Sequence, residues 1–425
     1  MQPLKSLSTD ASSARADPAR PPLAGVRVLD FTRLLPGPAC TEILAELGAE
    51  VLRVDDATRE DGGDFLRVPP GATPAERDAV YTGGALYEAV NRGKRSIALN
   101  LKHPEGRNLA RQLAARSHVL VEGFRPGVMA RLGLSHSTLL SEHPALVYCS
   151  ISGYGQDGPW AQWAGHDINY LALTGVLERL RAPGGKPVLS SVQWADLASG
   201  ALHATIGILA ALFDARGSGM GRHLDIAMAQ GLYGLQVSAL AEAHARGAGA
   251  QAPTSDHSIP SILTGAVAAY QVYGTQDGRW LAVGALEPPF WRRFCAVIAR
   301  EDLIDQGLVD GPRGEQVISE VARLIATRSL SEWVQAFDGV DCCVTPVLSL
   351  SEAASRGPYP RQGNTLFPIR LGTTDLPSAP ECGEHGSSVL ADLGYDPDQI
   401  IELADQGILG LPGSRPNLPS VSDPA

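Results

Sequence analysis

VRVLDFTRLLPGPACTEILAELGAEVLRVD, residues 26–55, is the stretch of sequence that decides the fold. The apolar run at 26–31 predicts a strand, and Pro36 with Gly37 opens a helix that ends near Gly48. Residues 50–55 predict a second strand. A strand, a helix and another strand in this order are typical of a parallel sheet covered by helices. No GxGxxG motif follows the first strand, which argues against an NAD-dependent enzyme.

The alternation of strands and helices continues beyond this stretch. Further strands are predicted at 96–101, 118–123 and 145–150, and a long apolar helix at 198–215. Residues 240–262 have the composition of a linker, and a hairpin centred on Asp277-Gly278 begins a second unit. Helices are expected over 288–340, a strand over 342–348, irregular chain over 351–388 and a helical tail near 387–408. The predicted class is α/β, with a second and smaller unit.

The composition excludes several classes of protein. The chain has 425 residues and a formal net charge of −11, which disfavours a nucleic-acid partner. We expect no membrane span, because no apolar run reaches about 18–20 residues. The first 22 residues lack the apolar core of a signal peptide and are expected to be a disordered lead. The six cysteines show no metal-ligand spacing, so a cytoplasmic protein without a metal is expected.

Basic residues cluster before and after the third predicted strand. Residues 91–95 read NRGKR, and Lys102, Arg125 and Arg131 follow in segments next to predicted strands or helices. Loops at the carboxyl ends of parallel strands are where ligands bind in such sheets, and helix starts favour phosphate. A solvated surface with scattered cations is the alternative interpretation.

Three residues are candidates for acid–base chemistry. His166 follows a glycine-rich loop and can exchange a proton near neutral pH, although a lone histidine is often structural. Asp196, between Ala195 and Leu197, is either a helix cap or a poised acid. Glu287 ends an apolar strand and either caps a helix or orients a histidine. The spacing alone leaves each alternative open.

The ordered motifs resemble the family III CoA-transferase superfamily (CaiB/BaiF-like), and within it the α-methylacyl-CoA racemase branch. The resemblance covers about residues 23–355. The motifs that carry it are VRVLDFTRLLPGPACT (26–41), LGAEVLRVD (47–55), NRGKRSIALNLKHPEG (91–106), VEGFRPGVMARLGL (121–134), GYGQDGPWAQWAGHDINY (153–170), AD (195–196) with GILAAL (207–212), GALEPPF (284–290) and CVTPVL (343–348).

The resemblance implies a Rossmann-like large domain, a smaller α+β domain inserted late in the chain, and an interlocked homodimer. The expected division is a lead at 1–22, the large CoA-binding domain at 23–235, a linker at 236–264, the small domain at 265–355, and a return to the large domain at 356–425. The implied ligand is an acyl-CoA thioester, with no separate cofactor.

The resemblance also implies contacts with CoA. Leu99 and Lys102 are expected along its adenosine part, and Arg131 and Arg125 at its phosphates. Asp56 stands where relatives carry an arginine. The corresponding phosphate contact is then either lost or made by Arg59 or Lys94.

Within the family, the racemase branch uses a histidine and an aspartate on opposite sides of the substrate, matched here by His166 and Asp196. Glu287 matches a glutamate that orients the histidine, and Asp167, Tyr170 and Tyr270 are expected beside the site. We expect backbone N–H groups near Asp196–Leu197 to stabilise an enolate.

The transferase branch is the alternative. There the equivalent of Asp196 is a nucleophile that forms a mixed anhydride. Three features favour the racemase: His166 is present, Leu35 stands where transferases often have glutamine, and no GGGGQ loop precedes Tyr270.

Overall fold

The computed structural model describes residues 20–59, 61–67, 81–180, 185–245, 262–356 and 376–412. Most of the predicted N-terminal lead therefore lies outside the described residues. The chain divides into two compact units, a larger one of residues 1–247 and 362–425 and a smaller one of residues 248–361.

A seven-stranded sheet forms the centre of the larger unit. Its strands are Arg27–Phe31 (β1), Glu50–Asp56 (β2), Arg95–Leu99 (β3), Val119–Glu122 (β4), Val147–Ser152 (β5), His223–Ala227 (β6) and Leu409–Gly410 (β10). Their order is β10-β3-β2-β1-β4-β5-β6, and every pair is parallel except β10 with β3. The predicted α/β fold with a parallel sheet is confirmed.

Helices cover both faces of this sheet. They are Pro36–Glu46 (α1), Tyr81–Asn91 (α2), Pro104–Ala115 (α3), Val128–Arg131 (α4), His136–Glu142 (α5), Asp167–Leu173 (α6), Val176–Arg179 (α7), the π-helix Ala195–Leu202, His203–Ser218 (α8), Met228–Gly234 (α9), Val237–Ala245 (α10), Gly386–Leu393 (α15) and Pro397–Asp405 (α16). Successive strand residues face opposite sides, so Val28 and Leu29 of β1 are buried in different cores.

The first crossover shows how the sequence sets this architecture. Pro36 lies at the start of α1, where its missing N–H leaves no hydrogen bond unmade. Gly37 is required by close packing, because a Cβ there would lie 2.2 Å from Cβ of Thr32. Leu34 adopts a φ of 66°, an unusual conformation for a residue with a side chain. The chain therefore turns sharply at the carboxyl end of β1.

The helix formed by Ala195–Ser218 is long and apolar enough to cross a membrane by length and composition. The helix carries the charged residues Asp196, Asp214 and Arg216, and the expectation that the chain has no membrane span stays a prediction. Core helices of soluble proteins satisfy the same criterion, and Ala201, Ala204 and Ile208 are buried in the core of the larger unit.

Two segments predicted to be irregular contain helices. The predicted linker at 236–264 includes α10, because its alanine-rich sequence favours a helix, while 246–261 lie outside the described residues. Residues 351–388 were expected to be irregular, yet Leu350–Arg356 (α14) covers the first of them, while 357–375 lie outside the described residues. Ser349 and Glu352 cap this helix through hydrogen bonds between side chain and backbone in both directions.

The smaller unit contains an antiparallel sheet of Tyr270–Gly274 (β7), Trp280–Gly284 (β8) and Val344–Pro346 (β9), in that order. The predicted turn at Asp277-Gly278 joins β7 to β8. The helices of this unit are Pro288–Val297 (α11), Gly311–Ile325 (α12), Leu330–Ala336 (α13), α14, and the short 3₁₀ helices Ile262–Thr264 and Glu301–Gln306.

Candidate active site

The connection between β5 and β6 brings the predicted acid–base residues together. Oδ1 of Asp167, in the first turn of α6, accepts hydrogen bonds from the backbone N–H groups of Ala195 (2.7 Å) and Asp196 (3.1 Å). The side chain of Asp167, which follows His166 in the sequence, therefore fixes the start of the π-helix that carries Asp196. These two segments are 28–29 residues apart in the sequence.

Asp196 lies in the first turn of the π-helix and is half-buried. Burial, assisted by the charge of Asp167, raises the pKa of Asp196 from 3.8 to about 7. Burial also raises the pKa of Asp167, against the two amides that bind its carboxylate. Asp196 can therefore both hold and release a proton near neutral pH.

His166 precedes α6 and is exposed. Its backbone N–H donates to Oδ1 of Asn169 (3.0 Å), and the hydroxyl of Tyr170 donates to the carbonyl of Gly165 (2.7 Å). Both contacts fix the backbone on either side of the imidazole. Tyr170 in turn packs edge to face against Tyr154, with ring centroids 5.2 Å apart.

The expected enolate donors near Asp196–Leu197 are already occupied. The N–H of Asp196 donates to Asp167, and the N–H of Leu197 donates to the carbonyl of Gln193 (2.9 Å). The first-turn amides of α6, at Asp167 and Ile168, have no acceptor among the described residues. This prediction was wrong because a π-helix start and an acidic cap have no sequence signature that separates them from an ordinary helix start.

The basic cluster at 91–95 does not form a surface patch. Lys94 is fully buried, and its Nζ contacts the Asp30 carboxylate (3.4 Å), the Thr41 hydroxyl (2.7 Å) and Asn91 Oδ1 (3.0 Å). Burial lowers the pKa of Lys94 against the opposing charge of Asp30. Lys94 is therefore committed to the core and is not available to a phosphate.

The charged side chains around Asp56 likewise form hydrogen bonds within their own segment. Asp56 accepts hydrogen bonds from the backbone and hydroxyl of Thr58. Arg59 forms a two-point ion pair with Asp61, both contacts at 3.0 Å. Both cations that the sequence suggested, Arg59 and Lys94, therefore have acidic partners already, Arg59 in an exposed ion pair.

The predicted CoA residues fall into two groups. Leu99 is fully buried in the core, and its backbone pairs with both neighbouring strands, β2 and β10. Lys102, Arg125 and Arg131 are exposed in loops or at a helix end that follow β3 and β4.

A cavity of about 410 Å³ adjoins Arg131. Arg107, Asn108 and Arg111 of α3 also line it, and Arg111 is paired with Glu142. Sequence reasoning missed Arg107 and Arg111, although their spacing of four residues places both on one face of a helix.

Glu287 and Tyr270 belong to the smaller unit. Glu287 immediately precedes α11, but its exposed carboxylate caps no backbone N–H. Tyr270 is 37% exposed and pairs with Gly284 across the hairpin, which places it near the end of β8 that leads to Glu287. The helix-cap alternative for Glu287 is therefore not supported by a side-chain contact.

A second acidic group lies at the carboxyl end of β4. Glu122 is buried, accepts a hydrogen bond from the N–H of Phe124 (2.9 Å), and has its pKa raised to about 7 by burial despite hydrogen bonds from Ser150 and Phe124. Ser150 also contacts Nε2 of His223 at 3.0 Å. Among the residues that the structure describes, no cluster of three potential metal ligands is present.

The strand order defines a Rossmann-like α/β protein, and the Asp167–Asp196 arrangement gives it a carboxyl group whose pKa lies near neutral. The chain belongs to CoA-transferase family III, whose family profile matches residues 23–380. The predicted family is confirmed.

Its relatives include both activities considered from the sequence. Alpha-methylacyl-CoA racemase from Mus musculus is 35% identical over 410 residues, covering 93% of this chain and 100% of that protein. Succinate–glutarate CoA-transferase from Agrobacterium fabrum is 32% identical over 403 residues, covering 88% and 96%. A crystal structure of a CaiB/BaiF family protein from Brucella suis superposes with a TM-score of 0.71 at 25% identity, covering 88% of this chain and 99% of that one.

Proposed function

We propose that the protein is an acyl-CoA racemase or epimerase that inverts C2 of a 2-methylacyl-CoA or a similar branched thioester. The observation that carries this proposal is the environment of Asp196. Its carboxyl group has a pKa of about 7, and its backbone N–H donates a hydrogen bond to Asp167, the residue after His166. Inversion through an enolate requires one group that removes the C2 proton and a second group that returns a proton.

In this mechanism, neutral His166 removes the C2 proton from one face of the substrate. The C–H bonding pair moves into the thioester, giving an enolate. Protonated Asp196 then returns a proton to the opposite face, and the reverse reaction exchanges the two roles. The unoccupied amides of Asp167 and Ile168 are the donors we assign to the enolate oxygen.

The alternative is CoA transfer with Asp196 as the nucleophile. The similarity to Succinate–glutarate CoA-transferase supports it. However, attack on a thioester requires the ionised carboxylate, and burial, by raising the pKa of Asp196 to about 7, keeps about half of this carboxyl protonated at neutral pH. The environment of Asp196 therefore suits proton transfer better than nucleophilic attack.

Two variants separate these functions. His166→Ala is expected to abolish exchange of the C2 proton while leaving CoA transfer, if present, intact. Asp196→Ala is expected to abolish both. Exchange is measured by NMR in D₂O, and transfer by following CoA onto an added carboxylic acid. Full exchange activity in His166→Ala would refute the two-base proposal.

Glu287 is proposed to orient His166, as the resemblance implies. Its exposed carboxylate forms no cap hydrogen bond within the part of the chain that the structure describes, which supports a role other than capping α11. Glu287→Gln is then expected to lower kcat with little effect on KM, whereas an unchanged pH profile and kcat would contradict this role.

We also propose that two copies of the chain form a homodimer. Ile206 and Phe213 of α8 are 63% and 84% exposed, and Val237 at the start of α10 is 68% exposed. Large apolar side chains exposed along helices favour a protein partner. Light scattering on the purified protein tests this proposal.

A further inference from the structure

Arg33 occupies a special position in the large sheet. It lies in the loop immediately after β1, and β1 has β2 on one side and β4 on the other. From β1 the chain adds β2 and β3 on one side and then β4, β5 and β6 on the other, so the order in which strands are added changes direction at β1. In open parallel sheets, ligands bind in the crevice outside the carboxyl ends of the strands where this reversal occurs.

The guanidinium of Arg33 is held there without a hydrogen-bond acceptor. Its Cζ lies 5.3 Å from the ring centroid of Phe124, in the loop after β4. The side chain is half-buried, and it forms no hydrogen bond or ion pair with any described residue. An aromatic face attracts the charge but satisfies none of the five N–H donors. The guanidinium group is thus held in one position, and its N–H donors remain available to a ligand.

The surrounding backbone is fitted to this side chain. A Cβ at Gly63, which has a φ of +81°, would lie 2.7 Å from Cζ of Arg33. Leu34 keeps its positive φ with its N–H bonded to Asp64 (3.2 Å). The nearby acid Asp61 is already paired at two points with Arg59. The loops on both sides therefore hold the guanidinium in place: its charge helps to lower the pKa of Asp61, but its N–H donors form no hydrogen bond with a described residue.

We propose that Arg33 binds a phosphate group of the acyl-CoA, with Phe124 supporting the guanidinium. This inference rests on the proposed acyl-CoA substrate and adds a binding residue to it. Planar guanidinium groups bind phosphate oxygens at two points, and such hydrogen bonds are stronger than neutral ones. Arg125, next to Phe124 in the sequence, adds positive charge to the same loop.

The test compares an acyl-CoA with the matching acyl-pantetheine, which lacks the phosphates. Arg33→Gln is expected to raise KM for the acyl-CoA about tenfold, with kcat unchanged, and to leave KM for the acyl-pantetheine unchanged. Arg33→Lys should give an intermediate KM, because it retains the charge but not the fork. Arg222→Gln is the control, since Arg222 pairs with Asp214 beyond the amino end of β6. It should leave both values unchanged.

Equal losses with both thioesters, or no change with either, would overturn the assignment. Calorimetry with CoA alone separates this failure from that of the proposed function. A wild-type protein that binds no CoA would refute the acyl-CoA substrate. A wild-type protein that binds CoA, with Arg33→Gln binding it equally tightly, would refute the role of Arg33 alone.

Discussion

Asp196→Asn is expected to abolish proton transfer and, at the same time, to stabilise the folded protein above neutral pH. Burial and the charge of Asp167 raise the pKa of Asp196 from 3.8 to about 7. Between these two values, the folded state binds more protons than the unfolded state does. The stabilising contribution of the protonated carboxyl is therefore complete below about pH 4 and is lost as the pH rises to about 7.

The size of the effect follows from the shift. A difference of roughly three pKa units corresponds to about 4 kcal/mol at most. Because Asp196 retains some contact with water, we expect about half of this value, roughly 2 kcal/mol, in the free energy of unfolding. Asparagine has nearly the shape of the protonated carboxyl and cannot ionise, so the variant does not lose stability in this pH range through this group.

The assay is urea unfolding of both proteins from about pH 5 to about pH 8, followed by tryptophan fluorescence. The advantage of Asp196→Asn should grow over this range. Asp392→Asn, at a side chain that is 71% exposed, is the control and should show no such growth. A constant difference, or an Asn variant that is less stable at the higher pH, would refute the assigned environment of Asp196.

Three further variants test other parts of the account. Lys94→Met should lower the free energy of unfolding by about 3–5 kcal/mol, because Asp30 is left buried without its cation; a urea midpoint near the wild type would contradict this. Tyr170→Phe removes the hydrogen bond to the carbonyl of Gly165, the residue before His166. It should lower the free energy of unfolding by about 1 kcal/mol and should also lower kcat; an unchanged kcat would argue against a positioning role. Phe213→Glu should shift the proposed dimer towards monomer in light scattering, whereas Phe65→Glu, at a residue that is 65% exposed, is the control; an unshifted mass would place the interface elsewhere.

The sequence was sufficient to predict the central sheet. Its strands are short apolar runs, and parallel pairing follows from the helices between them. It could not predict β10, because only two residues, Leu409 and Gly410, join the sheet. That strand forms only through a contact with β3, more than 300 residues earlier in the chain.

The site was predicted less completely. His166 and Asp196 could be identified from the motifs around them, but the hydrogen bonds that link their segments depend on tertiary structure. The basic cluster at 91–95, which contains Lys94, resembled a solvated surface because consecutive charged residues are usually exposed. Its burial requires Asp30, which is 64 residues away and comes from a different strand.

Arg53 illustrates the same limit. Its place in β2 follows from the pattern, yet the side chain is fully buried and paired with Asp55 and Asp64, both at 2.8 Å. Although burial alone would raise the pKa of Asp55, Arg53 and Arg67 lower it to about 2. Such networks form when loops from several elements meet, which periodicity does not encode.

The central claim is that the protein inverts C2 by transferring protons through His166 and Asp196. The most direct measurement starts from one pure epimer of a 2-methylacyl-CoA in D₂O and follows both configuration and label by NMR. We expect approach to a mixture of both epimers, with deuterium at C2 of the inverted product. Retention of configuration and of the C2 proton, together with movement of CoA to an added carboxylic acid, would contradict it.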